Sequence, residues 1–150
     1  MTNEKQLQHV LNKAGCRPDP TGDSGVHDVT YAFLPHVGGL SAEEVVQPAY
    51  RLNHPPRVFA GSRTLPEASV TVDAPNVIVE SVKPLHETAD RAVIVRLYEC
   101  EGGRTPVKLR FAPYVRSVCE TDLLEEAPVP VSNELVFGPF EIKTLLLRYE

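Results

Sequence analysis

Acidic side chains come in close pairs along this 150-residue chain: Glu43-Glu44, Glu99/Glu101, Glu120/Asp122 and Glu125-Glu126. Hydrolysis by a carboxyl pair needs the two groups about 5–9 Å apart across a pocket. Most of these residues fall in loops or on solvent-facing positions, where charged groups are ordinarily solvated. The pattern therefore favours a wet acidic surface over an active pair. The five histidines, His9, His27, His36, His54 and His86, are scattered, and none pairs with another at metal-ligand spacing. There is no Cys-x-x-Cys, no nucleophile elbow and no phosphate-binding loop. Gly61-Ser62 and Gly102-Gly103 read as turns. His27-Asp28 are adjacent, so on a strand they point to opposite faces. Cys100 and Cys119 fall in apolar strands, where burial opposes the thiolate a nucleophile needs; Cys16 lies in a loop beside Arg17.

Sugar recognition by flat aromatic faces is weakly provided for. The chain has no Trp and 7% aromatic residues, and most of Tyr31, Tyr50, Tyr98, Tyr114 and Tyr149 fall at core-like positions. A net charge of -5 argues against nucleic acid, which calls for a basic face. No run approaches the length of a membrane-spanning helix, and the N-terminus has no apolar signal region. Three widely spaced cysteines, Cys16, Cys100 and Cys119, fit free thiols in a reducing, cytoplasmic compartment better than a disulfide framework.

The elements that would position these groups are mostly strands. Many of the fourteen prolines end apolar runs, as expected of short strands. Residues 76–111 organise the chain as three β-branched and aromatic runs separated by turn chemistry, which predicts a β-meander. In 105–111, Val107, Leu109 and Phe111 alternate with Lys108 and Arg110, so one face is buried and one is wet. In 92–100 both faces carry apolar groups, which predicts a central strand; Arg96 on its second face then needs a partner. Strands are also expected at 26–34, 70–72, 115–121 and 135–137. The segment 140–149 changes phase between Ile142 and Leu145, which predicts a β-bulge near Lys143 and Thr144.

Helices are few. Leu7, Val10, Leu11 and Ala14 predict one over 3–14, stopped by Gly15. Ser41 with Glu44 forms a capping box ahead of a short helix that Pro48 interrupts and Asn53-His54-Pro55-Pro56 closes. The fold class is all-β: an antiparallel β-sandwich of about eight short strands with one or two short peripheral helices. Residues 1–25 form a helix-and-loop extension and 26–150 the sandwich domain. Turns at intervals of about ten residues carry this assignment. On composition and pattern alone, a carbohydrate-binding module and a protein-interaction module both remain open.

A resemblance narrows this. Val77-Ile-Val-Glu-Ser-Val-Lys83, Val95-Arg-Leu-Tyr-Glu99 and Gly102-Gly-Arg104 resemble the C-terminal β region of glycoside hydrolase family 38 α-mannosidases. So do Gly25-Val-His27-Asp-Val-Thr-Tyr31 with Leu34-Pro-His36, Tyr50-Arg-Leu-Asn53-His-Pro55, Glu120-Thr-Asp-Leu-Leu-Glu125 and Pro139-Phe-Glu-Ile-Lys-Thr-Leu145. These pieces follow in register over about residues 25–148. Val29 stands where the family tends to have Phe, and residues 1–15 lie outside the resemblance.

The resemblance implies a non-catalytic domain of a retaining, zinc-dependent α-mannosidase. Zinc, its ligands and the nucleophile would belong to the parent's catalytic domain, so no cofactor and no catalytic residue is expected in this chain. The implied partners are that catalytic domain and an α-mannoside, with self-association through the apolar faces of 3–14 and 41–53 as a further expectation. Arg104, in the Gly-Gly-Arg turn, is the candidate residue at the edge of a substrate cleft, against the plainer alternative of a solvated turn arginine.

Overall fold

The structure is a computed structural model that describes residues 17, 21–22, 24–39, 41–61, 68–85 and 91–149. The chain divides into two units, Met1–Phe33 and Leu34–Glu150, and every described strand lies in the second. The helix expected over 3–14 and Cys16 lie outside the described residues.

The strand expected over 26–34 does not form: residues 26–36 join no ladder. Both sides of that segment are rich in apolar groups, so it would need cover on two faces and a hydrogen-bonding neighbour. It has no strand neighbour among the described residues, and Tyr31 and Phe33 stay 65% and 76% exposed. Alternation identified a segment able to be a strand without supplying its partner.

The capping box at Ser41 forms. Ser41 Oγ accepts the Glu44 N–H at 3.2 Å and starts a helical segment. Pro48 cannot donate to the carbonyl four residues back, so the expected helix is split. Ala42–Val46 is a π-helical turn closed by the Gln47 N–H on the Ala42 carbonyl. The α-helix α1, Gln47–Asn53, then begins with proline in its first turn, where a missing N–H is tolerated. It ends as His54 donates its N–H to the Tyr50 carbonyl at 2.8 Å.

Eight strands follow: β1 Val70–Val72, β2 Val77–Pro84, β3 Ala92–Glu99, β4 Thr105–Phe111, β5 Val115–Thr121, β6 Val129–Pro130, β7 Glu134–Phe137 and β8 Ile142–Tyr149. They build two antiparallel sheets, one ordered β1-β4-β7 and the other β2-β3-β8-β5-β6. Inward side chains of both sheets make the main core, with Val95, Leu97, Leu109, Phe137, Leu145 and Leu147 fully buried. The opposite face of the larger sheet buries a smaller cluster of Ala92, Ile94 and Leu146. That is why β3 carries apolar groups on both sides. Arg96, the cation on its second face, reaches the Leu123 carbonyl at 2.9 Å and Glu125 at 3.3 Å.

Two further expectations are corrected. The three runs over 76–111 are not a meander: β2 pairs with β3, but β4 leaves for the other sheet, where it pairs with β1 and β7. The turn at 101–104 is therefore a crossing between sheets rather than a hairpin. The bulge expected near Lys143 and Thr144 is also absent, since β8 runs opposite β3 without a shift from Ile142 to Arg148. No change of phase is needed, because Ile142 and Leu145 lie on opposite faces of a regular strand with apolar residues on both faces. Phe140 belongs to the preceding turn at φ 55°, so it never shared a face with the strand. The irregularities fall between Val79 and Ser81 in β2 and between Val115 and Ser117 in β5.

Candidate functional site

The 101–104 turn that carries Arg104 is built around one carboxylate. Glu99 closes β3 on the same face as Val95 and Leu97, so strand alternation turns it inward, and it is fully buried. A buried carboxylate is costly unless its oxygens are met by donors. Here Oε1 accepts the Glu101 N–H at 2.8 Å and the Asn76 side-chain amide at 3.0 Å. Oε2 accepts the N–H groups of Gly102 at 2.7 Å, Phe140 at 3.0 Å and Gly103 at 3.2 Å. Burial alone would push this carboxyl up. The N–H groups of Phe140 and Glu101, the Asn76 amide and Gly102 outweigh burial and hold it down at about 2.

Glu99 thus gathers several strand ends. Asn76, just before β2, also donates to Thr105 Oγ1 at 2.7 Å at the start of β4. The Glu99 N–H donates to the Glu141 carbonyl ahead of β8. Two turns, 101–104 and 138–141, are held against the same anion. Each has a residue in the left-handed region, Gly102 at φ 75° and Phe140 at φ 55°. A side chain at 102 would also push a neighbouring ring aside. A Cβ there would lie 2.8 Å from Phe140 Cζ.

Next to this junction lies the helical segment. Glu101 Oε1 accepts the Ala42 N–H at 2.6 Å, putting a carboxylate at the start of the helical turns. Tyr50 on α1 hydrogen-bonds Glu80 on β2 and lies 3.4 Å from the Tyr98 hydroxyl on β3. Burial, then the bonds to Glu80 and Tyr98, push the Tyr50 phenol far up, so it stays protonated and donates. Val45, Val46, Ala49 and His54 line an open groove of about 400 Å³. A neighbouring groove of about 490 Å³ is lined by Ala42, Val45, Cys100 and Glu101.

Arg104 is exposed and makes no hydrogen bond or ion pair among the described residues. The candidate carboxylate pairs are engaged individually. Glu44 caps with Ser41; the Glu43 side chain lies outside the described residues. Glu120 and Glu141 hold Lys143, each at 3.0 Å. Asp122 accepts the Glu126 N–H at 2.9 Å, and Glu125 pairs with Lys83 and Arg96. Glu99 departs from the solvated position expected of its pair. Two signals pointed inward: its phase with Val95 and Leu97, and the Gly102-Gly103 that follows, whose N–H groups approach without side chains. Cys100 and Cys119 are free thiols, and burial with the nearby Glu101 and Glu99 pushes the Cys100 thiol up, away from nucleophilic use. Among the described residues, no three His, Cys, Asp or Glu side chains gather where they could hold a metal ion. Nor is any described helix long and apolar enough to cross a membrane.

Comparison with known proteins finds relatives for most of the chain. Residues 76–145, from the asparagine that serves Glu99 into the buried centre of β8, match the family described as "Glycosyl hydrolases family 38 C-terminal beta sandwich domain". The chain is 34% identical to human "Alpha-mannosidase 2C1" over 153 aligned residues, 94% of this chain and 15% of that protein. It is 31% identical to the mouse protein of the same name over the same shares. It is 28% identical to "Alpha-mannosidase G" of Dictyostelium discoideum, over 85% of this chain and 13% of that one. The chain therefore spans only about 15% of the length of the first of these relatives. These likenesses identify residues 76–145 as a C-terminal β-sandwich domain of glycosyl hydrolase family 38, in a chain akin to α-mannosidases.

Proposed function

We propose that this chain is a non-catalytic accessory domain of a retaining α-mannosidase, packing on a catalytic domain that supplies the zinc ion and the nucleophile. The observation that carries this reading is Glu99. The most buried carboxylate beside the conspicuous turn has both oxygens taken up by donors of the fold itself, so it is committed to structure rather than to chemistry. The narrow share of the α-mannosidase relatives that the chain spans supports the same reading. The apolar groove along the helical segment is the face that would meet the catalytic domain. Arg104, exposed on a turn that Glu99 fixes, would stand at the edge of the mannoside cleft. The free thiols and acidic charge fit a reducing, cytoplasmic setting.

The test is direct. The purified chain is incubated with an aryl α-mannoside and its zinc content is measured. No turnover and no stoichiometric zinc are expected; hydrolysis by the chain alone would overturn the proposal.

A further inference from the structure

The outer face of the smaller sheet is exposed, and its charges follow a simple order. Strand alternation sends Val107 and Leu109 of β4 into the core and turns Pro106, Lys108 and Arg110 outward. On this face Lys108 stands opposite Glu134 of β7, and Pro106 stands opposite Val136. Lys108 Nζ lies 3.5 Å from the Glu134 carboxylate, and the two side chains are 56% and 72% exposed. Arg110 makes no hydrogen bond or ion pair among the described residues. The face therefore has a cationic half on β4 and an acidic half on β7. Asp73, on the far side of β4, accepts the Lys108 N–H at 2.8 Å. An open groove of about 420 Å³ runs between Pro106, Lys108, Glu134 and Val136. No buried polar side chain among the described residues lacks a partner, so nothing is poised there to grip a small ligand.

We infer that this face pairs with the same face of a second copy of the chain, about a two-fold axis parallel to the strands and between β4 and β7. That axis exchanges the two strands at each level of the ladder. Lys108 then meets Glu134 of the second copy, Glu134 meets Lys108 of the second copy, and Pro106 meets its Val136. A cross-strand pair of opposite charges is self-complementary under this operation, whereas a like-charged pair would repel. The two ion pairs become a ring of four charges of alternating sign beside an apolar contact of Pro106 and Val136. Three short strands offer little area, so the dimer is weak, with a dissociation constant on the order of 100 µM. Such a pair forms whether or not the chain serves an α-mannosidase.

Sedimentation equilibrium of the intact chain from about 10 µM to about 1 mM reads the association, and methyl NMR reads Val136. A concentration-dependent dimer with a matching shift of the Val136 methyls is expected. Glu134→Lys and Lys108→Glu each weaken it about tenfold, because the two-fold repeats every new like-charge contact. Mixed in equal amounts, the two variants recover the dimer, since each reversed charge then meets its opposite. Glu134→Lys also makes the chain less acidic, so relief of general repulsion would strengthen association; the direction of the change separates the two causes. Urea midpoints check that the variants stay folded. Lys108→Gln, which adds no acid beside Asp73, gives a smaller loss and replaces Lys108→Glu if that variant does not fold. A chain that stays monomeric to about 1 mM overturns the inference. So does a mixture that fails to recover, or a dimer indifferent to both reversals, which places the contact on another surface.

Discussion

Glu99 and Glu125 both tie a connecting segment to the strands, and they do it by different physics. Glu99 is fully buried and is met by neutral N–H groups, so its charge is balanced by dipoles fixed in the backbone. Glu125 sits on the 122–127 loop at φ 70° and is met by full charges, Lys83 at 2.5 Å and Arg96 at 3.3 Å, whose side chains are 45% and 28% exposed. The first arrangement cannot be replaced by water without opening the fold. The second is held by cations that can turn toward solvent, although the Glu125 side chain is itself only 11% exposed. A carboxylate held by backbone donors therefore fixes geometry more firmly than one held by flexible cations.

Glu99→Gln should break the comparison most severely. It puts an amide donor against backbone donors and should destabilise the chain by about 3 kcal/mol, read from urea unfolding at pH 7. The same group predicts the acid response. Its folded-state value, about 2, is depressed below the ordinary 4.5, so its contribution is fully present above pH 4.5 and is lost as pH falls toward 2. Urea midpoints at pH 7, 4 and 3 should fall in that order in the wild type and more shallowly in Glu99→Gln. A parallel decline in both would show that other groups govern acid unfolding.

Gly102→Ala comes next. A Cβ at φ 75° is strained and collides with the Phe140 ring, for a loss of about 1–2 kcal/mol together with displaced ring signals. An unchanged Phe140 spectrum in that variant would argue against the close approach. The smallest effect belongs to Glu125→Gln, about 1 kcal/mol or less. Raising sodium chloride to about 1 M should shrink the gap between wild type and Glu125→Gln and leave that for Glu99→Gln nearly unchanged.

Much of the fold was legible in local pattern. β4 declared its wet face through Lys108 and Arg110, and β3 declared its central place by apolar groups on both sides. Ser41 and Glu44 marked the start of the helical turns. What escaped was decided by partners distant in sequence. Gly102-Gly103 reads as a turn wherever the next strand goes, and the pairing of Thr105 with Phe137 is what draws β4 into the other sheet. The 26–34 segment alternates as a strand should, yet sequence names no neighbour for it. Phe140 looked like the first residue of the last strand because periodicity cannot register a left-handed backbone. Of the turn, the Gly-Gly-Arg string was visible, and the structure shows Arg104 on it as an exposed residue. The role of Glu99 was missed, because a charged residue beside a turn is ordinarily solvated and its phase with Val95 and Leu97 was outweighed by that expectation.

The ends of the two sheets have a consequence for how the domain meets other chains. Among the described residues, the outer strands of the smaller sheet are β1, three residues long, and β7, four. Those of the larger sheet are β6, two residues with Pro130, and β2, which is bulged after Val79 and finishes in Lys83 and Pro84. Short length, proline, lysine and a bulge each discourage a foreign strand from adding on. The domain is thus poorly suited to growing fibres or swapping strands with copies of itself. Among the described residues, these edges make the exposed backbone a poor template for an added strand.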